Sequence, residues 1–155
     1  DLLNAGVTVG VGHDSTEGNN TYDLFEVMRS AVLLQRATRL DPLALGPAHA
    51  LAMATSWGAN ALGIDAGVLS PGRRADAIVV DAREDFFDPA IPAYHSNLAT
   101  RLVFGTSGRD VRDVFVDGRP VVRGGELLTG DANEITARAR EAVGKLEATI
   151  SSAAA

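Results

Sequence analysis

In the stretch Val9-Gly-Val-Gly-His-Asp-Ser-Thr-Glu-Gly-Asn-Asn20 a short apolar run gives way to polar turn residues, and an acid, Asp14, sits at the changeover. Ser, Gly and Asn are enough to turn a chain, so Asp14 is either turn chemistry or a functional group carried at the end of a strand. The other residues with comparable chemistry are three histidines, His13, His49 and His95, spread along the chain with no short pair. There is no cysteine, which excludes disulfides and thiolate metal sites. A catalytic zinc needs three protein ligands at fixed geometry, so Asp14 by itself is a poor metal site.

The elements that must position these residues can be read from periodicity and punctuation. "DLLNAG" predicts a helix finishing at Gly6, and "VTVGVG" (Val7 to Gly12) predicts a short buried strand. That helix-turn-strand rhythm belongs to an α/β layer. The next helix is predicted from Tyr22 to Thr38, with Asn20 or Thr21 as N-cap and Asp23 in the first turn. Apolar residues from Leu24 to Leu34 surround most of its circumference, which predicts a largely buried helix. "GPAHALAMATSWGANALG" predicts one further helix, opened by Pro47 and released near Gly63.

From Leu69 the texture changes. Pro71-Gly72 precedes a predicted strand from Ala75 to Asp81, and "VRDVFVDGRPVVRGG" predicts a hairpin with a type I′ turn at Asp117-Gly118. If Val116 faces Arg119, the missing N–H of Pro120 costs the hairpin nothing, provided no further strand pairs on that side. Valines on both faces of the pair predict that it is covered on two sides. "REDFFDPAIPAYHSNLATRL" is assigned no regular structure. Asp131 and Glu134 have capping-box spacing, and Ile135, Ala139, Ala142, Val143, Leu146 and Ile150 form one stripe of an amphipathic helix expected to pack on the body. The closing "SSAAA" is expected to fray.

The chain has 155 residues, 46% hydrophobic and 22% charged, enough material for a globular core. Its net charge of -6 argues against a nucleic-acid footprint, which needs a basic face. No apolar run approaches the roughly 20 residues of a membrane span. These features fit a cytoplasmic protein with neither a nucleic-acid nor a membrane partner. The opening at Asp1, as if a helix were already under way, reads as the C-terminal part of something longer.

Three separated pieces carry a family resemblance. "GVGHDSTEGNNTYDLFEVMR" resembles the segment after the last barrel strand of the amidohydrolase superfamily. "GVLSPGRRADAIVVD" is similar to that superfamily's return from barrel into a small β-sandwich, and "SGRDVRDVFVDGRPVVRGGELL" to its final sandwich hairpin. The nearest branch is the methylthioadenosine/S-adenosylhomocysteine deaminase and chlorohydrolase group. The resemblance implies an α/β fold: the last strand-helix unit of a TIM-type (β/α)8 barrel (1–66), strands of a β-sandwich portion (67–130), and a closing helix and tail (131–155).

The resemblance also implies chemistry. The Asp after the last strand of these barrels is a metal ligand that holds the metal-bound water, which makes Asp14 the candidate catalytic and metal-binding residue. The implied cofactor is a divalent metal, zinc ahead of iron, and the implied reaction is hydrolytic deamination of an amino-substituted purine or related heterocycle by metal-bound hydroxide. Relatives that hydrolyse a cyclic amide or displace chloride are the alternative. The implied partners are a small heterocyclic substrate and, for the full-length protein, a second copy in a homodimer.

Departures from the pattern matter as much. His13 stands where the branch usually has Thr, and alternation at a strand end keeps it from binding the same ion as Asp14. It is either a pocket-lining or supporting group or a structural histidine. Asn19 and Asn20 match the family's polar turn and read as turn and cap residues, with Asn19 a weaker substrate-contact candidate. His49 reads as structural, and Trp57, Tyr22 and Phe25 as core. Arg101 occupies the place of a family histidine, with His95 six residues earlier, so that role is not carried over. The histidine pairs that complete the family's metal site are absent, so the chain as given is expected to be a non-catalytic piece.

Overall fold

The computed structural model describes residues 2–81 and 97–153. In order they form α1 (Thr16–Asn19), α2 (Leu24–Arg39), α3 (Pro47–Ala54), α4 (Ser56–Ala61), β1 (Ala77–Val80), α5 (Leu98–Gly105), a 3-10 turn (Gly108–Asp110), β2 (Val111–Val116), β3 (Arg119–Arg123), β4 (Glu126–Leu127) and α6 (Ala132–Ala153). His95 and most of the Pro-punctuated stretch lie outside the described residues. Its last part, expected to be irregular, is instead helix α5.

The core is where α2, α3 and α5 meet. Phe25, Met28 and Val32 recur at helical spacing along α2 and are buried together with Leu45, Ala50, Met53 and Val103. The expectation that α2 is buried nearly all round is corrected, because Leu33 and Leu34 are 51% and 61% exposed. Its N-cap is also corrected: Asp23, not Asn20 or Thr21, accepts the Phe25 N–H at 2.9 Å. The other Asp23 oxygen accepts the Gly108 N–H at 2.7 Å, and Arg29 donates to the Val103 and Thr106 carbonyls. These bonds tie the start of α2 to the segment that leads into the sheet. Asp23→Ala removes a helix cap and the tie to the exposed Gly108 N–H together, so a loss of about 1–2 kcal/mol and a melting temperature lower by roughly 2–8 °C are expected.

The opening residues carry the paired bonds of a Schellman cap: Gly6 N–H to Leu3 O, Val7 N–H to Leu2 O, with Gly6 at φ 75°. The stretch from Val7 to Gly12 does not pair as the expected strand. It makes no ladder among the described residues, and Val7 is 46% exposed while Val9 and Val11 pack on the core. A strand needs neighbours to donate to, and apart from the Val7 cap bond the backbone hydrogen bond from this stretch runs from Val11 N–H to the Met53 carbonyl at 3.2 Å. That carbonyl lies beside a break, because the single helix expected from Pro47 to Gly63 divides at Thr55 (φ -128°, ψ -102°) into α3 and α4. Gly10 and Gly58 meet there: a Cβ on Gly10 would lie 3.1 Å from the Gly58 Cα, and one on Gly58 would lie 2.8 Å from the Met53 carbonyl oxygen.

The sheet is antiparallel in the order β1-β2-β3-β4. Asp117 (φ 51°) and Gly118 (φ 75°) are both left-handed, as a type I′ turn demands, and Val116 pairs with Arg119. A bulge follows between Val114 and Phe115, and β4 pairs only with Val122 and Arg123, so nothing calls on the missing Pro120 N–H. The expected cover on both faces is absent among the described residues. No sheet residue is fully buried, and only the end with Val80 and Val111 packs on the helical core.

Asp131 caps α6, accepting from the Asn133 and Glu134 N–H groups, and the helix continues through Ser151 and Ser152, expected to fray, to Ala153. It does not pack on the body. Ile135, Val143, Leu146 and Ile150 are 55–60% exposed, and only Ile135, at the start of the helix, comes near the Gly130 turn and Leu127 among the described residues. Leu146→Glu should therefore shift the stability of this chain by less than about 0.5 kcal/mol, measured by thermal melting. No helix among the described residues is long and apolar enough to cross a membrane.

Candidate functional site

Asp14 follows the extended stretch at an exposed reversal and is held at φ 61°, a left-handed conformation that costs most L-residues about 1 kcal/mol or more but that Asp and Asn adopt more readily than others. Ser15 then caps α1, accepting the Gly18 N–H at 3.4 Å, and Glu17 sits in the first turn. The hydrogen bond from Ser15 holds the Glu17 carboxyl below its ordinary value. This short helix was missed because the stretch reads as a turn, although a Ser followed by an acid two residues later is a cap signal. Asn19 is exposed at its last turn, and Asn20 closes it at φ 59° with its N–H on the Thr16 carbonyl. Asn20 is thus a C-cap of α1.

His13 is half-buried. Its Nδ1 lies 2.5 Å from the Asp14 backbone oxygen, and its ring meets Tyr22 edge-on with centroids 4.7 Å apart and planes at 85°. Tyr22, expected in the core, is 67% exposed, since the cap at Asp23 turns it away from the buried face of α2. Phe25 is buried as expected, and Trp57 is half-buried with the exposed His49 ring stacked against it at 5.7 Å. Arg101 lies in α5 and bonds the Asn97 side chain.

The structure thus brings His13, Asp14 and Tyr22 together and leaves His49 elsewhere. Among the described residues no group of three potential ligands converges. Asp14 suits a divalent cation as one hard oxygen donor, but one carboxylate does not close a four-coordinate zinc site. An open groove of about 1040 Å³ lies along Val7 and Val9, walled by Leu45, Met53 and Trp57, and Asp14 does not line it. The groove flanks the unpaired stretch, and its lining mixes those apolar residues with Gln35, Arg39, His49 and Asn60.

The sequence pattern of the amidohydrolase family matches residues 1–121. A methylthioadenosine/S-adenosylhomocysteine deaminase of Pelotomaculum thermopropionicum is 41% identical over 91% of this chain and 32% of its own length. An adenosine deaminase of Xanthomonas campestris, solved with bound zinc, superposes with a TM-score of 0.85 at 30% identity, covering 95% of this chain and 33% of that one. An atrazine chlorohydrolase of Arthrobacter aurescens, also complexed with zinc, gives 0.72 at 30% identity over 88% of this chain and 30% of its own. The chain spans about a third of the length of the curated relatives it matches.

Proposed function

Because the chain belongs to the amidohydrolase family, we propose that it is the C-terminal part of a hydrolase that deaminates an amino-substituted purine or related heterocycle. On this reading residues 1–66 are the end of a (β/α)8 barrel, 67–130 belong to a β-sandwich, and 131–155 close the molecule. The missing neighbours of Val7–Gly12 and the second layer of the sheet then belong to the part of the fold that the relatives have and this chain does not span.

The observation that carries the reading is Asp14, held in a left-handed conformation at the end of the extended stretch in the family-matched region. Asn20, Leu40 and Asp117 share this conformation as cap and turn residues, whereas Asp14 carries it where the extended stretch ends. In hydrolytic deamination water adds to the ring carbon bearing the amino group, a C–O bond forms, the C–N bond breaks and ammonia leaves. Asp14 can take a proton from the attacking water and return it to the departing nitrogen. Zinc, with Asp14 as one of its ligands, would supply Lewis-acid activation of that water near neutral pH. Its other ligands would come from outside this chain, which leaves the chain alone inactive.

The likeness to the chlorohydrolase favours one second reading, displacement of chloride from a triazine ring. The full-length enzyme, assayed in parallel with methylthioadenosine, adenosine and atrazine, separates the readings. Ammonia from the purine nucleosides is the expected result, and chloride from atrazine with no ammonia from either nucleoside would overturn it.

A further inference from the structure

We propose that His13 and Gly18 are positioning residues that set the direction of the Asp14 carboxylate, an inference that rests on Asp14 being the working acid of the site. A carbonyl oxygen only accepts, so the contact from His13 Nδ1 to the Asp14 oxygen requires the proton on Nδ1. Between the His13 peptide and that oxygen the rotatable backbone bonds are the φ and ψ of Asp14 itself. Once the imidazole is held, a donor on that oxygen therefore restrains the left-handed turn and, with it, the direction of the Cα–Cβ bond that carries the carboxylate.

The imidazole has a support of its own. Tyr22 closes on it edge-on, and Tyr22 directly precedes Asp23, whose carboxylate is bound both to α2 and to Gly108. From the other side, a Cβ at Gly18 would lie 3.2 Å from Asp14 Oδ2, closer than most real Cβ contacts. Gly18 has no left-handed φ to demand glycine, so its bare Cα serves the carboxylate and not the turn. Ala there would favour α1 as a helix while pushing the acid aside.

The substitutions His13→Ala, His13→Gln, His13→Asn and Gly18→Ala separate positioning from packing. The amide of Asn reaches the position of Nδ1, whereas that of Gln extends one bond further. In the 155-residue chain the readout is the strong amide-to-Hα nuclear Overhauser effect within Asp14 that a positive φ produces. It should weaken to the ordinary intensity of a negative φ in His13→Ala and His13→Gln and stay strong in His13→Asn. In the full-length enzyme the first two should lose about ten-fold or more in both turnover and retained zinc, with His13→Asn close to wild type. Gly18→Ala should lose both while its melting temperature stays level or rises. Wild-type values in His13→Ala, or no advantage of His13→Asn over His13→Gln, would overturn the inference. If Asp14→Ala itself leaves turnover and zinc intact, the site reading falls and the positioning has no catalytic meaning.

Discussion

Asp14→Asn in the full-length enzyme should cut turnover by about 10³-fold or more while leaving the melting temperature within about 2 °C. Asn is the informative replacement because it keeps the size of the side chain and tolerates the left-handed φ of 61° that most residues resist. Only the charge and the proton-accepting oxygen are lost. Asp14→Gly makes the complementary measurement: it should be equally inactive but no less stable, because glycine adopts this φ without the penalty that Asp still carries. An Asp14→Asn enzyme with near-normal turnover would remove the acid from the chemistry and return it to the role of a turn residue.

The largest structural effect is expected at Gly58. Its missing side chain lets the Met53 carbonyl come close: a Cβ would meet the Met53 oxygen at 2.8 Å and carbon at 3.8 Å, both backbone atoms that cannot swing aside. Gly58→Val should destabilise the chain by about 3 kcal/mol, a drop of roughly 6–12 °C in melting temperature. Gly12→Ala is the control. Nothing lies within 4 Å of its Cβ position and its φ is unremarkable, so it should be neutral. Equal melting of the two variants would mean that the junction between the extended stretch and the α3–α4 break is not a packed one.

That junction also shows what a sequence can and cannot say. The turn at Asp117-Gly118, Pro47 at the head of α3 and Asp131 at the head of α6 are local devices whose residue types determine their geometry, and each was legible in advance. The break at Thr55 was not. Threonine is no helix breaker, and the apolar period runs through it; what accompanies the break is tertiary, with a Cβ on Gly67 meeting the Thr55 carbonyl at 2.7 Å and Val11 bonded to Met53. The candidate site divides the same way. Asp14 stood out because an acid was not needed for the turn, whereas Gly18 is invisible until its missing Cβ is seen against Asp14 Oδ2. The stripe on α6 was read correctly as a stripe and wrongly as a contact, since periodicity identifies an apolar face and says nothing of whether a partner is in reach.

A helix whose apolar stripe is left more than half exposed is governed mainly by nucleation and propagation, as a free peptide is. Along α6 these rest on the Asp131 cap, one Glu141–Lys145 pair four residues apart, and a weak link at Gly144, which has open space where a side chain would be. In this chain α6 should therefore lose helicity gradually from low temperature upward, as a sloping circular dichroism baseline ahead of the sharp transition of the α2–α3–α5 core. The ellipticity of this polypeptide would then record two regimes at once, a helix–coil equilibrium and a cooperative melt, joined by a single covalent chain.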